Sequence, residues 1–467
     1  MALNFDSYLP EGVTLYDFQH VGVAYALVTR RCLIGDEMGL GKTIQALTVL
    51  AIRKAFPAVV VCPASLKGNW AREIRRALPT ATVEVLKGKK GARVDADIVV
   101  VNYDILAAWE PFLAPQALIL DESHYCKNPD AARTKAAKEL AARVPADGIV
   151  IGLTGTPLLN RPIELMAQLQ ILGRLAEITG PAKSAEGKFL YRYCGPETVD
   201  IGRGRTATTF KGATHTEELN ARLRGACYIR RLRSEALGTN DTVRIPAFLS
   251  LNGALDTYRA AEADFIAFLH ETEGAAAAAR ARMAEGIARL TKLRLLAGLA
   301  KVPAAIEWIE NWLESNEGKS IVVFAWHQEV QKALADHFGC PTILGGQKDV
   351  EAQKEIFQAG GHRVIVCSIQ AAKEGHTLTA ASDVLFVEQP WNPGTQQQAE
   401  DRVNRIGQTA KQCFAYSLLA EDTVDEIVYE LIEAKRVVFK AVADGTAPAD
   451  QDDVDIVNSL LGYFRTK

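Results

Sequence analysis

IGDEMGLGKT, residues 34–43, joins an apolar run to a helical repeat, and its reading decides the fold. Gly39 and Gly41 allow a backbone to wrap closely around a phosphate, and a helix opening at the lysine turns unpaired N–H groups toward the anion. Lys42 is placed to reach β- and γ-phosphates and the Thr43 hydroxyl to hold Mg²⁺, while Asp36, Glu37, Met38 and Leu40 complete the loop. The strict phosphate-loop pattern has glycine where this chain has Asp36, so the decapeptide alone leaves coincidence open.

A second string narrows the choice. ALILDESH (117–124) ends an apolar strand in two acids. Asp121 is suited to hold Mg²⁺ through water and Glu122 to activate an attacking water; the plainer alternative is a solvated acidic turn. Open α/β sheets bind ligands at strand ends beside such a loop. The two strings together point to a site that hydrolyses ATP with Mg²⁺.

Outward from these strings, short apolar runs alternate with helical patterns in two stretches, the mark of parallel α/β sheets. In the first, about 31–173, strands are predicted at 32–35, 58–62, 98–102, 117–121 and 148–154, with a helix over 43–55. In the second, about 319–419, they fall at 320–324, 364–367, 383–387 and 413–418. Uninterrupted apolar runs of this length fit strands buried on both faces. Between the stretches, helices are predicted over 255–270 and 275–299, the alanine run 275–279 being helix or flexible linker. TNDTVRIP (239–246) reads as the boundary. Two domains are expected: residues 1–240, with a helical insertion about 175–240, and 241–467, with an insertion about 250–315 and C-terminal helices and an acidic tail about 423–467. From Asp444 to Asp455 that tail carries five Asp and no base, which reads as a solvated segment.

The 467 residues carry 53 Lys and Arg against 56 Asp and Glu, a net charge of −3. That balance excludes a uniformly basic nucleic-acid coat but not a local basic surface. No apolar run approaches the ~20 residues of a membrane span, and the start lacks the pattern of a secretory signal. The eight cysteines form no C-x-x-C pair, so reduced structural thiols in a cytosol-like compartment are expected.

The order of motifs resembles the Snf-type (Swi/Snf-related) ATPases of helicase superfamily two. The resemblance covers roughly 15–432 and rests on YDFQHVG (16–22), GDEMGLGKT (35–43), VVVCPASLKGNW (59–70), LDESH (120–124), LTGTPLLN (153–160), IRRLRSEAL (229–237), VVFAWHQEV (322–330), SIQAAKEGHTLTAA (368–381), FVEQPWNPG (386–394) and QAEDRVNRIGQ (398–408). WNPG and RYCG (192–195) look most like the branch of the HepA-related annealing helicases.

The resemblance implies two tandem RecA-like parallel-sheet lobes with helical insertions, with the ATP site and a DNA groove at the cleft between them. It makes Gln19 the reader of adenine, His124, Thr154 and Thr156 the coupling residues, and Arg402 and Arg405 the arginine fingers with Gln398 as companion. Their spacing puts Gln398, Arg402 and roughly Arg405 on one face of a predicted helix. Fingers of this kind raise phosphoryl-transfer rates by ~10³–10⁵. Candidate DNA contacts are Lys67, Asn69, Asn102 and Tyr103 in the first lobe and His327, Ser368, Thr377 and Trp391 in the second, with Trp391 equally suited to a core. Two basic segments flank these motifs: Lys67–Arg93 has eight bases and two acids, and Arg222–Arg233 has five Arg and no acid.

The chain departs from the family at Lys373 and His376, where a small Gly and a Leu are usual, and at Asn404, where His precedes RIGQ. Lys373 touches phosphate or points to solvent. The motor core is expected to occupy nearly the whole chain, a build that suggests a bacterial or phage source or a protein that relies on partners; a monomer is expected, cytoplasmic and nucleoid-associated if the source is bacterial or phage. The implied activity is an ATPase that moves along double-stranded or branched DNA, remodelling DNA or protein–DNA complexes, with strand annealing and protein partners in replication, repair or remodelling to be considered. A strand-separating DNA or RNA helicase and a degenerate, nucleic-acid-binding scaffold are the alternatives.

Overall fold

The computed structural model describes residues 4–155, 161–180, 184–200, 205–210, 212–238, 241–251, 255–271, 279–371, 376–445 and 456–466. Thr156, Lys373, residues 275–278 of the alanine run and 446–455 of the tail lie outside them. The chain forms two units: Met1–Gly238 with Val437–Asp453, and Thr239–Arg436 with Val454–Lys467.

The first unit carries β1 (Arg31–Ile34), β2 (Ala58–Cys62), β3 (Val83–Val85), β4 (Ile98–Asn102), β5 (Ala117–Asp121), β6 (Ile149–Leu153), a hairpin of β7 (Pro196–Asp200) and β8 (Thr206–Phe210), and β9 (Tyr228–Ile229). Seven of them form one parallel sheet, ordered β3-β4-β2-β5-β6-β1-β9. Strand residues alternate between two cores. Ala58, Val60 and Cys62 pack in a cluster with Leu47 and Trp70 on one face, while Val59 and Val61 join Leu118, Leu140 and Leu165 on the other. Both faces are covered, which is why these runs show no polar alternation. The two-residue β9 and the half-polar β3 gave no apolar run to find.

In a parallel sheet every strand ends at the same edge, so topology collects the motifs. Register pairs Ile34 of β1 with Leu153 of β6 and Ile229 of β9, and Asp121 of β5 with Leu153. The phosphate loop, the DESH acids, the LTGT turn and the RRLR segment therefore leave the sheet side by side.

The second unit is built on β10 (Val243–Leu249), β11 (Ile321–Ala325), β12 (Thr342–Ile343), β13 (Val364–Ser368), β14 (Asp383–Phe386) and β15 (Phe414–Ala420), a parallel sheet ordered β10-β15-β14-β11-β13-β12. The TNDTVRIP stretch is more than a boundary, since from Val243 it forms β10. Pro246 is tolerated there because β10 is an edge strand paired only with β15. The helix expected to end near 299 runs through Pro303, as Ala279–Ser315.

Candidate functional site

Helix Lys42–Arg53 starts from Gly41, whose φ of 70° and ψ of 43° place it in the left-handed region, as does the φ of 83° at Gly39. The dihedral favours glycine, and a Cβ on Gly41 would lie 2.3 Å from Nε2 of Gln19, which would have to move to admit it. The Lys42 ammonium donates to the carbonyls of Asp36 at 2.7 Å and Glu37 at 3.2 Å, resting on the loop it would leave to meet a phosphate. Removal from water lowers its pKa, against the pull of Glu122, Asp36 and Asp121. Thr43 is half-buried in the first turn of the same helix.

Gln19, on helix Asp17–Thr29, is 3% exposed. Its Nε2 donates to the Leu40 carbonyl at 3.1 Å and its Oε1 accepts from the Tyr16 N–H at 3.0 Å. It thus ties its helix to the phosphate loop. Met38 and Leu40, within that loop, are buried.

At the end of β5, Asp121 accepts from the Trp70 indole N–H at 2.7 Å and from the Glu122 backbone N–H at 3.1 Å. Burial first, then repulsion by Glu122, pushes the Asp121 carboxyl up to about 7. Glu122 turns the chain in the left-handed region at φ 50°, and its carboxylate lies 3.3 Å from Nδ1 of His124. The same nitrogen is 3.0 Å from the Thr154 hydroxyl, so DESH and LTGT are in direct contact. Tyr103 is 2% exposed, stacks on Tyr125 and donates its hydroxyl to the Asp121 carbonyl at 2.8 Å.

Three arginines from the IRRLR segment enclose the loop from the other side. The Arg230 guanidinium donates to the carbonyls of Gly35 at 2.7 Å and Gly155 at 3.0 Å, and pairs with Asp444. Arg231 pairs with Asp36, and Gln45 donates to the same carboxylate at 3.0 Å. Glu37 accepts from the Arg233 N–H at 2.7 Å and its carboxylate lies 4.0 Å from that guanidinium. The Arg222–Arg233 cluster is therefore not a uniform external face. Arg222 and Arg224 are exposed, while Arg230, Arg231 and Arg233 turn inward. The matching signal was in the sequence: two acids, Asp36 and Glu37, in a loop of otherwise neutral residues and lysine. Asp444 likewise leaves the solvated acidic tail, its side chain 9% exposed in the ion pair.

In the second unit, helix Pro393–Glu400 is capped by Asn392, which accepts from the Thr395 N–H at 2.8 Å. Gln398 lies on it, buried, but the helix stops before the arginines. Arg402 and Arg405 sit in the following turns, not on one helical face. Their Nε atoms donate to the carbonyls of Gln398 at 2.8 Å and Asp401 at 3.0 Å, taking acceptors that a continuing helix would use. Arg405 also donates to the Thr377 hydroxyl at 3.2 Å. His376 adjoins Thr377 and is half-buried, and Asn404 donates to the Thr242 hydroxyl at 3.2 Å.

The sequence-derived DNA contacts fall in different settings. Asn69 is exposed, and Lys67 donates to the Leu86 carbonyl at 2.9 Å. Asn102 and Ser368 are each 6% exposed. His327 pairs with Glu388 at 2.5 Å, and Trp391 packs beside a core cluster with Arg294 over its ring at 4.0 Å. The other basic segment does face outward: Arg72, Arg75, Arg76, Lys87, Lys89, Lys90 and Arg93 are all exposed. All eight cysteines are free thiols, and among the described residues no helix is long and apolar enough to cross a membrane.

The SNF2-related domain model matches residues 18–189, and that of the helicase conserved C-terminal domain matches 301–407. The chain is 32% identical over 446 residues to the SWI/SNF-related matrix-associated actin-dependent regulator of chromatin subfamily A-like protein 1 of Xenopus tropicalis, across 91% of this chain and 44% of the relative. It is 29% identical to the human DNA annealing helicase and endonuclease ZRANB3, across 95% of this chain and 42% of the relative. The chain thus spans less than half the length of either. A solved Sulfolobus solfataricus SWI2/SNF2 ATPase core in complex with dsDNA is 22% identical over 93% of this chain and 94% of its own, with a TM-score of 0.42.

Proposed function

The chain belongs to the SNF2-related ATPases, and from that premise we propose that it moves along double-stranded DNA at the expense of ATP, without extensive strand separation. ATP hydrolysis belongs to the family itself. The observation that carries the site is the convergence of Lys42, Asp121, Glu122 and Thr154 at neighbouring strand ends, with the Glu122–His124–Thr154 chain linking the acids to the LTGT turn.

The loop amides and Lys42 bind the phosphates, and Lys42 moves from the carbonyls of Asp36 and Glu37 to the β- and γ-oxygens. Glu122 orients and deprotonates the attacking water. Arg402 and Arg405 stabilise the charge on the transferred phosphoryl group, with Gln398 holding the Arg402 side chain. A divalent cation suits the two adjacent carboxylates, one of them raised to about 7 by burial and by the repulsion of the other. Thr43 and Asp121 would hold Mg²⁺, which when bound neutralises charge on the β- and γ-phosphates.

Duplex DNA as the track is supported by the exposed basic stretch between Arg72 and Arg93, which suits salt-sensitive, sequence-independent phosphate contacts. Two relatives named for chromatin regulation and DNA annealing support a DNA substrate and make strand annealing an activity to assay. The test is ATP turnover with no nucleic acid, duplex DNA, single-stranded DNA and RNA. Duplex DNA is expected to stimulate most; stimulation by RNA or single strands alone would favour a strand-separating helicase, and none at all would favour a scaffold.

A further inference from the structure

Arg230 follows β9 directly and is 4% exposed. One of its nitrogens donates to two carbonyls, those of Gly35 and Gly155, which open the loops after the neighbouring strands β1 and β6. Gly155 is in turn packed on the phosphate loop: a Cβ there would lie 2.6 Å from Cγ of Met38 and 3.5 Å from Nζ of Lys42. A single guanidinium therefore fixes the spacing between the start of the phosphate loop and the turn that Met38 and Lys42 rest against.

The countercharge comes from far along the chain. Asp444 accepts from Nε of Arg230, and the Phe439 ring lies 5.7 Å from the guanidinium carbon. The segment that delivers Asp444 is held by side chains of the first unit. Asn220 donates to the carbonyls of Val442 at 2.7 Å and Ala443 at 3.1 Å, and the Tyr228 hydroxyl donates to Ala443 at 3.3 Å. Phe439, Val442 and Ala443 belong to the same core cluster as Leu33 and Tyr228. An arginine this far from water keeps its charge and place only with a partner.

We propose that Arg230, held by Asp444, is a positioning residue for ATP hydrolysis, and that the segment Val437–Gly445 sets the geometry of the phosphate loop through that pair. Removing the Asp444 charge lets the guanidinium swing toward water and relaxes the Gly35–Gly155 link. Nucleotide still binds, but Lys42 is no longer held in line with the acids.

The experiment measures kcat and KM for ATP, Tm and duplex DNA affinity in the full chain carrying Asp444→Asn, Asp444→Glu, Arg230→Lys or Asn220→Ala. Asp444→Asn is expected to lower kcat at least tenfold with KM and DNA affinity within about threefold, and Asp444→Glu to recover most of the loss. Asn220→Ala weakens the hold on the same segment but leaves the Arg230–Asp444 pair in place, so it is expected to lower Tm while lowering kcat far less than Asp444→Asn does. Should Asp444→Asn fail to fold, Arg230→Lys decides: it keeps the ion pair but loses the double donation, and kcat is expected to fall by far more than any accompanying drop in Tm accounts for. Wild-type kcat in Arg230→Lys, or kcat that merely follows Tm across the four variants, would overturn the proposal. It rests on ATP hydrolysis at this loop, so Lys42→Ala is measured alongside; full turnover in that variant would remove the underlying site instead.

Discussion

Asp36 and Arg231 form an ion pair inside the phosphate-loop wall, where the Asp36 carboxylate is completely buried and accepts from Nε of Arg231 at 2.8 Å and from its backbone N–H at 3.1 Å. Gln45 bonds to both partners, at 3.0 Å to Asp36 and 2.9 Å to Arg231. The residue that departs from the strict phosphate-loop glycine thus helps, with Gly35 and Glu37, to fasten the loop to the RRLR segment. Asp36→Gly restores the general pattern but leaves the part-buried Arg231 guanidinium with only Gln45 and the Phe18 carbonyl as partners, and breaking one side of such a pair costs at most about 3–5 kcal/mol. Urea unfolding is expected to show a loss of that order; a neutral or stabilising result would mean that the pair contributes little.

Lys42→Ala is expected to abolish ATP turnover while leaving basal DNA binding intact, since the exposed bases between Arg72 and Arg93 are remote in sequence and untouched. Glu122→Gln retains the loop and Lys42 and is expected to bind ATP but stall before hydrolysis. Turnover and binding of a fluorescent ATP analogue separate the two variants. Near-normal turnover in Glu122→Gln would refute its role as base.

The raised Asp121 carboxyl makes pH a probe of the site. A carboxyl at about 7 in the fold and near 4 in the unfolded chain contributes stability below the lower value, and that contribution is lost as pH rises through the upper one. Nucleotide-free protein is therefore expected to lose stability between about pH 4 and 7, and Asp121→Asn to flatten that slope. Activity runs the other way, because the ionised carboxylate is the form that holds a cation: kcat/KM for ATP should rise with pH through about 7. Urea titrations and initial rates across that range check both signs.

Thr154 is the hydroxyl through which His124 touches the LTGT turn. Thr154→Val keeps the shape and removes the contact. ATP turnover is expected to stay within about tenfold of wild type while movement along DNA falls much further, measured as third-strand release from a triplex per ATP hydrolysed. Equal losses in both would assign Thr154 to catalysis rather than coupling.

Strand positions in both sheets were legible because fully buried strands such as Ala58–Cys62 and Ile321–Ala325 must be apolar throughout. The phosphate loop and DESH acids were legible because their chemistry demands particular residues at strand ends. What surrounds them was not. Arg230 meets Asp444 across 214 residues, and nothing local distinguishes an arginine that pairs inward from one that faces DNA. Edge strands also escaped: β9 has only two residues, and β10, though seven residues long, contains a proline that argues against any strand but an edge. The end of helix Pro393–Glu400 was missed for a related reason. Spacing alone cannot show that Arg402 and Arg405 bond back to the carbonyls of Gln398 and Asp401.

Displacement of a third strand from a plain duplex, with ATP and with Glu122→Gln as control, tests translocation most directly. ATP-dependent release of the triplex strand by the wild-type chain, with the underlying duplex left paired and no release by Glu122→Gln, is the expected result. Duplex-stimulated ATP turnover with no triplex release, or release accompanied by separation of the duplex, would contradict movement along intact double-stranded DNA.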